Sequence, residues 1–171
     1  MNEGVYDPGV LKAVFMAGGP GSGKSFTAAS IFGVQKDAKW ASGTATGLKL
    51  VNSDPAFEMQ LKKMGISPSD LGTMSKEDFE AVTVGPDSPR GIAKKMRDTA
   101  QKSYMGGRLG LVIDGTGDDY EKIKRKKAAL EELGYDTYMI FVNTSEEVAL
   151  ERNRKRDRKL PDELVSQIWG D

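Results

Sequence analysis

The stretch GGPGSGKS at residues 18–25 constrains this chain more than any other. It fits the pattern G-x-x-x-x-G-K-[ST]. Glycine relaxes the steric limits on φ, so the backbone can curl and aim several N–H groups at one anion. The apolar run KAVFMAG (residues 12–18) precedes it and reads as a buried strand. A helix follows over residues 24–32, and its positive N-terminal end favours an anion. Strand, glycine loop and helix are the setting that this motif requires. Gly19, Gly21, Ser22, Gly23, Lys24, Ser25 and Phe26 are therefore the candidate nucleotide-binding set. Lys24 would reach the β and γ phosphates, and the Ser25 hydroxyl would ligate Mg²⁺. The ligands implied are a nucleoside triphosphate such as ATP, with Mg²⁺.

Beyond the loop, strands alternate with helices. LKLVN (residues 48–52) reads as a strand. Residues 53–65 read as a helix, with Asp54 as N-cap, Pro55 at the first helical position and Gly65 at the stop. Residues 75–82 form another capped segment, and residues 88–107 a longer helix ended by two glycines. Strands follow at residues 109–114 and 136–143. Between them lies a helix over residues 118–134, with a capping box from Asp118 to Glu121. TSEEVALERNRKRDRK starts with a second box, Thr144 to Glu147, and residues 161–169 give a last helical turn or two. Residues 33–47 lack any period and read as a long loop, equally a functional segment or a bland connection. This alternation predicts an α/β fold, a three-layer sandwich with a mainly parallel sheet and helices on both faces. Right-handed crossovers then place the ligand at the carboxyl edge of the strands. A length of 171 residues suits a single domain over residues 1–171.

Composition removes several chemistries. Cysteine and histidine are both absent, which excludes disulfides, thiolate catalysis, the usual zinc ligand sets and a His-based triad. Lys+Arg and Asp+Glu are each 25, so no global basic field argues for nucleic acid. The apolar run near the N-terminus is too short to span a membrane and lacks the flanks of a signal peptide. The expectation is a soluble, cytoplasmic protein with no membrane partner.

What becomes of the phosphate depends on other residues. LVIDGTG puts Asp114 at the end of an apolar strand, where it suits an acid holding Mg²⁺ directly or through water. Gly115 follows it, where motor and AAA-type ATPases usually carry an acid that activates water. Residues 114–117 also match D-x-x-G, but no N-K-x-D occurs anywhere, which sets the GTPases aside. VNSDP ends the second strand with Asp54, which could accept the proton of an attacking hydroxyl, or cap the helix, or do both. ERNRKRDRKLP gathers Arg152, Arg154, Lys155, Arg156, Arg158 and Lys159. Arg152 and Arg156 lie at i and i+4 and would share a helix face. Arginines closing over a transferring phosphoryl group stabilise its developing charge. A solvated helix end is the plainer alternative. EKIKRKK (residues 121–127) reads as a solvated face that could still touch a polyanion.

Taken in this order, GGPGSGKS, VNSDP, LVIDGTG and ERNRKRDRKLP resemble the P-loop kinases typified by zeta toxins and the 5′-hydroxyl kinase domain of phage polynucleotide kinase. The resemblance covers residues 12–165. It implies ATP in the cradle, Asp54 as base toward the acceptor hydroxyl, and an arginine-bearing lid at about residues 152–161. Carried over by motif position, the catalytic set is Lys24, Asp54, Arg152 and Arg156, with Ser25 and Asp114 on the metal. It also implies a sheet of order 2-3-1-4-5, with the strand of Asp114 beside the cradle strand. This chain stops at SQIWGD, before the fifth strand such kinases usually carry. A four-stranded sheet, a C-terminal truncation and an edge completed by a partner stay open.

The expected function is ATP-dependent transfer of a γ-phosphoryl group to an acceptor hydroxyl, on a nucleotide or polynucleotide 5′ end. Two alternatives stand beside it: a nucleotide-binding or NTP-hydrolysing module that transfers nothing, and a zeta-toxin-like sugar-nucleotide kinase. Residues 57–104 are the expected acceptor pocket, and no specificity is legible in them.

Overall fold

β1 (Lys12–Ala17) is buried along almost its whole length, as a central parallel strand covered on both faces must be. The computed structural model describes residues 7, 9–33, 43–117, 119–156 and 158–170. Along the chain β1 is followed by α1 (Lys24–Phe32), β2 (Lys49–Val51), α2 (Asp54–Lys63), a 3₁₀ turn (Pro68–Gly72), α3 (Lys76–Thr83) and α4 (Pro89–Gly106). Then come β3 (Leu111–Asp114), α5 (Tyr120–Glu132), β4 (Asp136–Phe141), α6 (Glu146–Lys155) and α7 (Asp162–Gly170). Among the described residues the sheet has four strands, all parallel, in the order β2-β3-β1-β4. The expected order is found, with the strand of Asp114 beside the cradle strand.

Contacts divide the chain into two compact units. The first comprises Met1–Gly18, Gly23–Asn52 and Ala100–Asn143. It holds the sheet, and the period-2 alternation of its strands builds a core on each face. Ala13, Phe15, Leu111 and Ile113 pack with Leu130 of α5 and with Tyr104 and Met105 of α4. Val14, Met16 and Val112 pack with Ala28 and Phe32, which lie at i and i+4 on α1. Helices therefore cover both faces. At the edge, β4 leaves Tyr138, Met139 and Phe141 more than half exposed.

The second unit comprises Gly19–Ser22, Ser53–Thr99 and Thr144–Asp171. It is helical, with a small core of Ala56, Phe57, Leu61, Leu71, Val82 and Ala93. α4 contributes its first part to this unit and its last turns to the other.

Several helix starts differ from expectation. Asp118 lies outside the described residues; Asp119 caps α5, accepting from Lys122 N at 2.8 Å. Ser145, not Thr144, caps α6 and accepts from Val148 N. Ser53 stands at the N-cap of α2 without a side-chain cap, and Asp54 is the first helical residue. Its carboxylate is drawn instead to two arginines, described below. α6 ends at Lys155, and Arg156 is already extended with ψ 155°, so Arg152 and Arg156 do not share a helix face. Gly65 and the Ser75 cap fall where expected. Of the long loop, residues 34–42 lie outside the described part, and Gly43 bridges Lys49.

Candidate functional site

Parallel strands present their C-terminal ends to one side, and the first unit gathers its polar motif residues there. Gly18 follows β1, Asn52 follows β2, and Asp114 ends β3. The ladder sets Met16 level with Asp114. The turn after β3 is tied to the start of the glycine loop: Gly115 N donates to Met16 O at 3.0 Å, and Gly18 N donates to Thr116 O at 2.8 Å. Gly117 has φ 88°, and a Cβ there would lie 2.7 Å from that of Ala17, so only glycine lets the two turns meet.

Lys24 opens α1, and its ammonium reaches back to donate to Gly18 O at 2.5 Å. Lys24, Ser25, Asn52 and Asp114 line a cavity of about 50 Å³ with Met16, Ala28 and Leu50 as its apolar wall. Three predicted residues thus meet on one cavity. Asn52 was not singled out in the sequence, although its place after a strand is a usable signal. Phe26, the last of the predicted loop set, is 71% exposed.

In the second unit the loop stretch Gly19–Ser22 is backed by α6 and α7. The Arg152 guanidinium donates to Ser22 O at 2.9 Å and to Gly21 O at 3.3 Å. Trp169 Nε1 donates to Pro20 O at 3.0 Å. Ser22 Oγ is buried and has no hydrogen-bond partner among the described residues.

Asp54 lies in the same unit, between two guanidinium groups. Arg158 binds both its oxygens, Oδ1 at 3.0 Å and Oδ2 more closely. Arg90, from the first turn of α4, donates to Oδ1 at 2.8 Å and stacks 5.1 Å from the Phe57 ring. Arg158 is the more enclosed, with its side chain only 10% exposed, and its Nε lies 3.7 Å from Glu58. Burial pushes the Asp54 carboxyl upward, but Arg158 and Arg90 together outweigh it and hold the carboxyl below its ordinary value. The loop carrying Arg158 is pinned in turn. Asn153, fully buried, donates to Leu160 O at 2.8 Å and accepts from Leu160 N at 3.0 Å. Arg154 pairs with Asp162 on the far side of that loop. Arg158 stood in the basic stretch read from the sequence, but its partner did not. Arg90 lies 36 residues from Asp54 and carries no local signal.

The donor set fits Mg²⁺ and a triphosphate. Ser25, Asn52 and Asp114 offer hard oxygens to the cavity they line. Among the described residues no three acidic, His or Cys side chains gather to hold a metal alone. Mg²⁺ characteristically uses one or two protein ligands together with substrate phosphates.

The AAA domain family matches this chain over residues 14–169. The chain belongs to the AAA domain family. Membership leaves the residue after Asp114 as it is: Gly115, with no acid to activate water. No curated protein sequence matches this AAA domain. Among solved structures it is similar to a chain of the PezAT chromosomal toxin–antitoxin system of Streptococcus pneumoniae, with TM-score 0.59 and 16% identity, covering 85% of this chain and 53% of that one. It is similar to a chain of the Pnkp1/Rnl/Hen1 RNA repair complex, with TM-score 0.60 and 17% identity, covering 99% and 45%. It is also similar to a chain of the AvrRxo1-ORF1:AvrRxo1-ORF2 complex with sulphate ions, with TM-score 0.59 and 16% identity, covering 93% and 46%. At such identities the likeness is one of fold, the α/β fold of P-loop kinases. The AAA domain spans about half the length of these neighbours. Among its described residues, no helix is long and apolar enough to cross a membrane.

Proposed function

We propose that the chain is an ATP- and Mg²⁺-dependent phosphotransferase, moving a γ-phosphoryl group to an acceptor hydroxyl. The convergence of Lys24, Ser25 and Asp114 on one cavity carries this reading. Lys24 would release Gly18 O and neutralise the β and γ phosphates, while the loop N–H groups hold them. Ser25 and Asp114 would hold Mg²⁺, which supplies charge neutralisation on the phosphates when bound. Asp54 takes the acceptor hydroxyl. Its lowered pKa keeps it ionised and makes it a weak base, so its part is to orient the hydroxyl. That suits phosphoryl transfer with a loose transition state, where positioning outweighs early proton removal. Arg156 is the proposed positive surround from the 152–161 region, while Arg152 already donates to loop carbonyls.

The acceptor we favour is a nucleotide or a polynucleotide 5′ end. The likeness to a chain of an RNA repair complex supports it; a sugar nucleotide, implied by the resemblance to zeta toxins, is the alternative. A cytoplasmic place of action is part of this reading, since ATP is abundant there. A second reading, nucleotide hydrolysis without transfer, is favoured by one observation: both Asp54 oxygens are taken by arginines. Labelled ATP, offered with nucleotides, oligonucleotide 5′ ends, nucleosides and sugar nucleotides, separates these. Label on one acceptor class, lost in Asp54→Asn with ATP binding retained, supports transfer. Hydrolysis that no acceptor stimulates overturns it.

A further inference from the structure

Three successive carbonyls of the glycine loop, those of Pro20, Gly21 and Ser22, are held by side chains of α6 and α7. Trp169 holds the first, and Arg152 holds the second and third. A trans peptide sets its N–H opposite its C=O, and no described peptide is cis. Anchoring these carbonyls therefore turns the N–H groups of Gly21, Ser22 and Gly23 the other way. The Ser22 N–H closes a turn onto Gly19 O at 3.2 Å, while those of Gly21 and Gly23 bond to no described carbonyl. An anion in such a loop is held by backbone N–H groups, so whatever fixes the carbonyls decides how the N–H groups are presented.

Packing agrees with the hydrogen bonds. A methyl group on Gly21, at φ 78°, would lie 2.4 Å from Ala149 O of α6. One on Gly19 would lie 2.8 Å from the Trp169 indole. The glycines serve close approach to these two helices as well as the curl of the loop.

We infer that Arg152 and Trp169 are positioning residues that hold the loop's peptide planes so that the Gly21 and Gly23 N–H groups face a polyphosphate. The inference rests on the triphosphate reading above and gives Arg152 a different part within it. Its guanidinium is spent on loop carbonyls, not on a phosphoryl group. Donors fixed in place before the ligand arrives need no reorganisation when it binds, and that is where the gain in affinity lies.

The test is calorimetric titration of the folded chain with Mg²⁺·ATP and, separately, with inorganic tripolyphosphate. Trp169→Phe keeps an aromatic ring, smaller than the indole, and removes the N–H; it should weaken both ligands about three- to tenfold. Arg152→Gln should weaken both about tenfold or more, because its hydrogen bonds are charge-assisted, and Arg152→Lys should recover part of the loss. Thermal unfolding without ligand, run alongside, should stay within a few degrees of wild type. If Arg152→Gln does not fold, the two conservative variants decide the matter. Undiminished affinity for both ligands in Trp169→Phe and Arg152→Lys overturns the inference. So does a loss confined to ATP, which would put Trp169 on the base. Lys24→Ala separates the underlying reading: if that variant still binds Mg²⁺·ATP at full strength, the triphosphate site itself is wrong.

Discussion

Asp114 closes one parallel strand and Asp54 follows closely on another, yet they are held in opposite ways. Asp114 ends β3 and is fixed by backbone: the ladder sets it level with Met16, and the next turn bonds to the loop after β1. Asp54 comes three residues after β2 ends and is fixed by charge, from arginines 36 and 104 residues away. A carboxylate on a ladder keeps its place whatever its protonation. A carboxylate between guanidinium groups keeps its place only while it is ionised. The first suits a constant metal-facing role, and the second a role that can be released.

The largest effect should come from neutralising each in turn. Asp54→Asn should lower phosphoryl transfer ~100-fold or more with ATP binding retained, the cost of losing the group that orients the acceptor hydroxyl. Asp114→Asn should instead raise the Mg²⁺ needed for half-maximal transfer, roughly tenfold. Steady-state rates at varied Mg²⁺ and acceptor distinguish the two patterns, and identical patterns would break the contrast.

Stability gives the next step down. Arg158→Met leaves an enclosed carboxylate with one partner and should cost about 2 kcal/mol in urea unfolding. Arg90→Met, where the guanidinium is more exposed, should cost about 1 kcal/mol. Equal losses would mean that enclosure does not set the strength of the clamp.

The pH dependence follows from the sign of the shift. Asp54 has a folded pKa below its ordinary value of 3.8, because Arg158 and Arg90 outweigh the effect of burial. Its stabilisation is therefore complete above that value and is lost as pH falls through the lower folded one. The stability gap between wild type and Asp54→Asn should be widest near neutrality and close below about pH 3.8. A gap that widens on acidification would sink this account. Smallest is a purely local effect: Asp119→Ala should cost α5 about 0.5 kcal/mol by thermal unfolding, with no change in transfer.

The sheet and the Asp114 side were legible because each signal lies within a few residues. An apolar run ending in glycine marked β1, one ending in Asp114 marked β3, and the loop pattern marked Lys24 and Ser25. Sheet order came from family resemblance, not from periodicity. The Asp54 side was only half legible. Aspartate before proline is as good a helix cap as a base, and nothing nearby says that Arg158 and Arg90 draw its carboxylate out of the cap. The neighbouring hydroxyls also misled: Thr144 and Ser145 both suit a cap, and only the backbone decides that Ser145 is used. Trp169 carried no signal, because its partner is a carbonyl 149 residues away.

Asn153 bonds Leu160 through both its amide atoms, as one strand would bond another, and Arg158 is carried on the loop so tied. The bond after Arg158 has the chemistry of a trypsin site, but a protease must take the guanidinium into its own acidic pocket. It can do so only after Arg158 has left Asp54 and Leu160 has unhooked from Asn153. Nicking at that bond therefore measures how often the clamp opens, and a bound ligand that displaces Arg158 from Asp54 would quicken the cut.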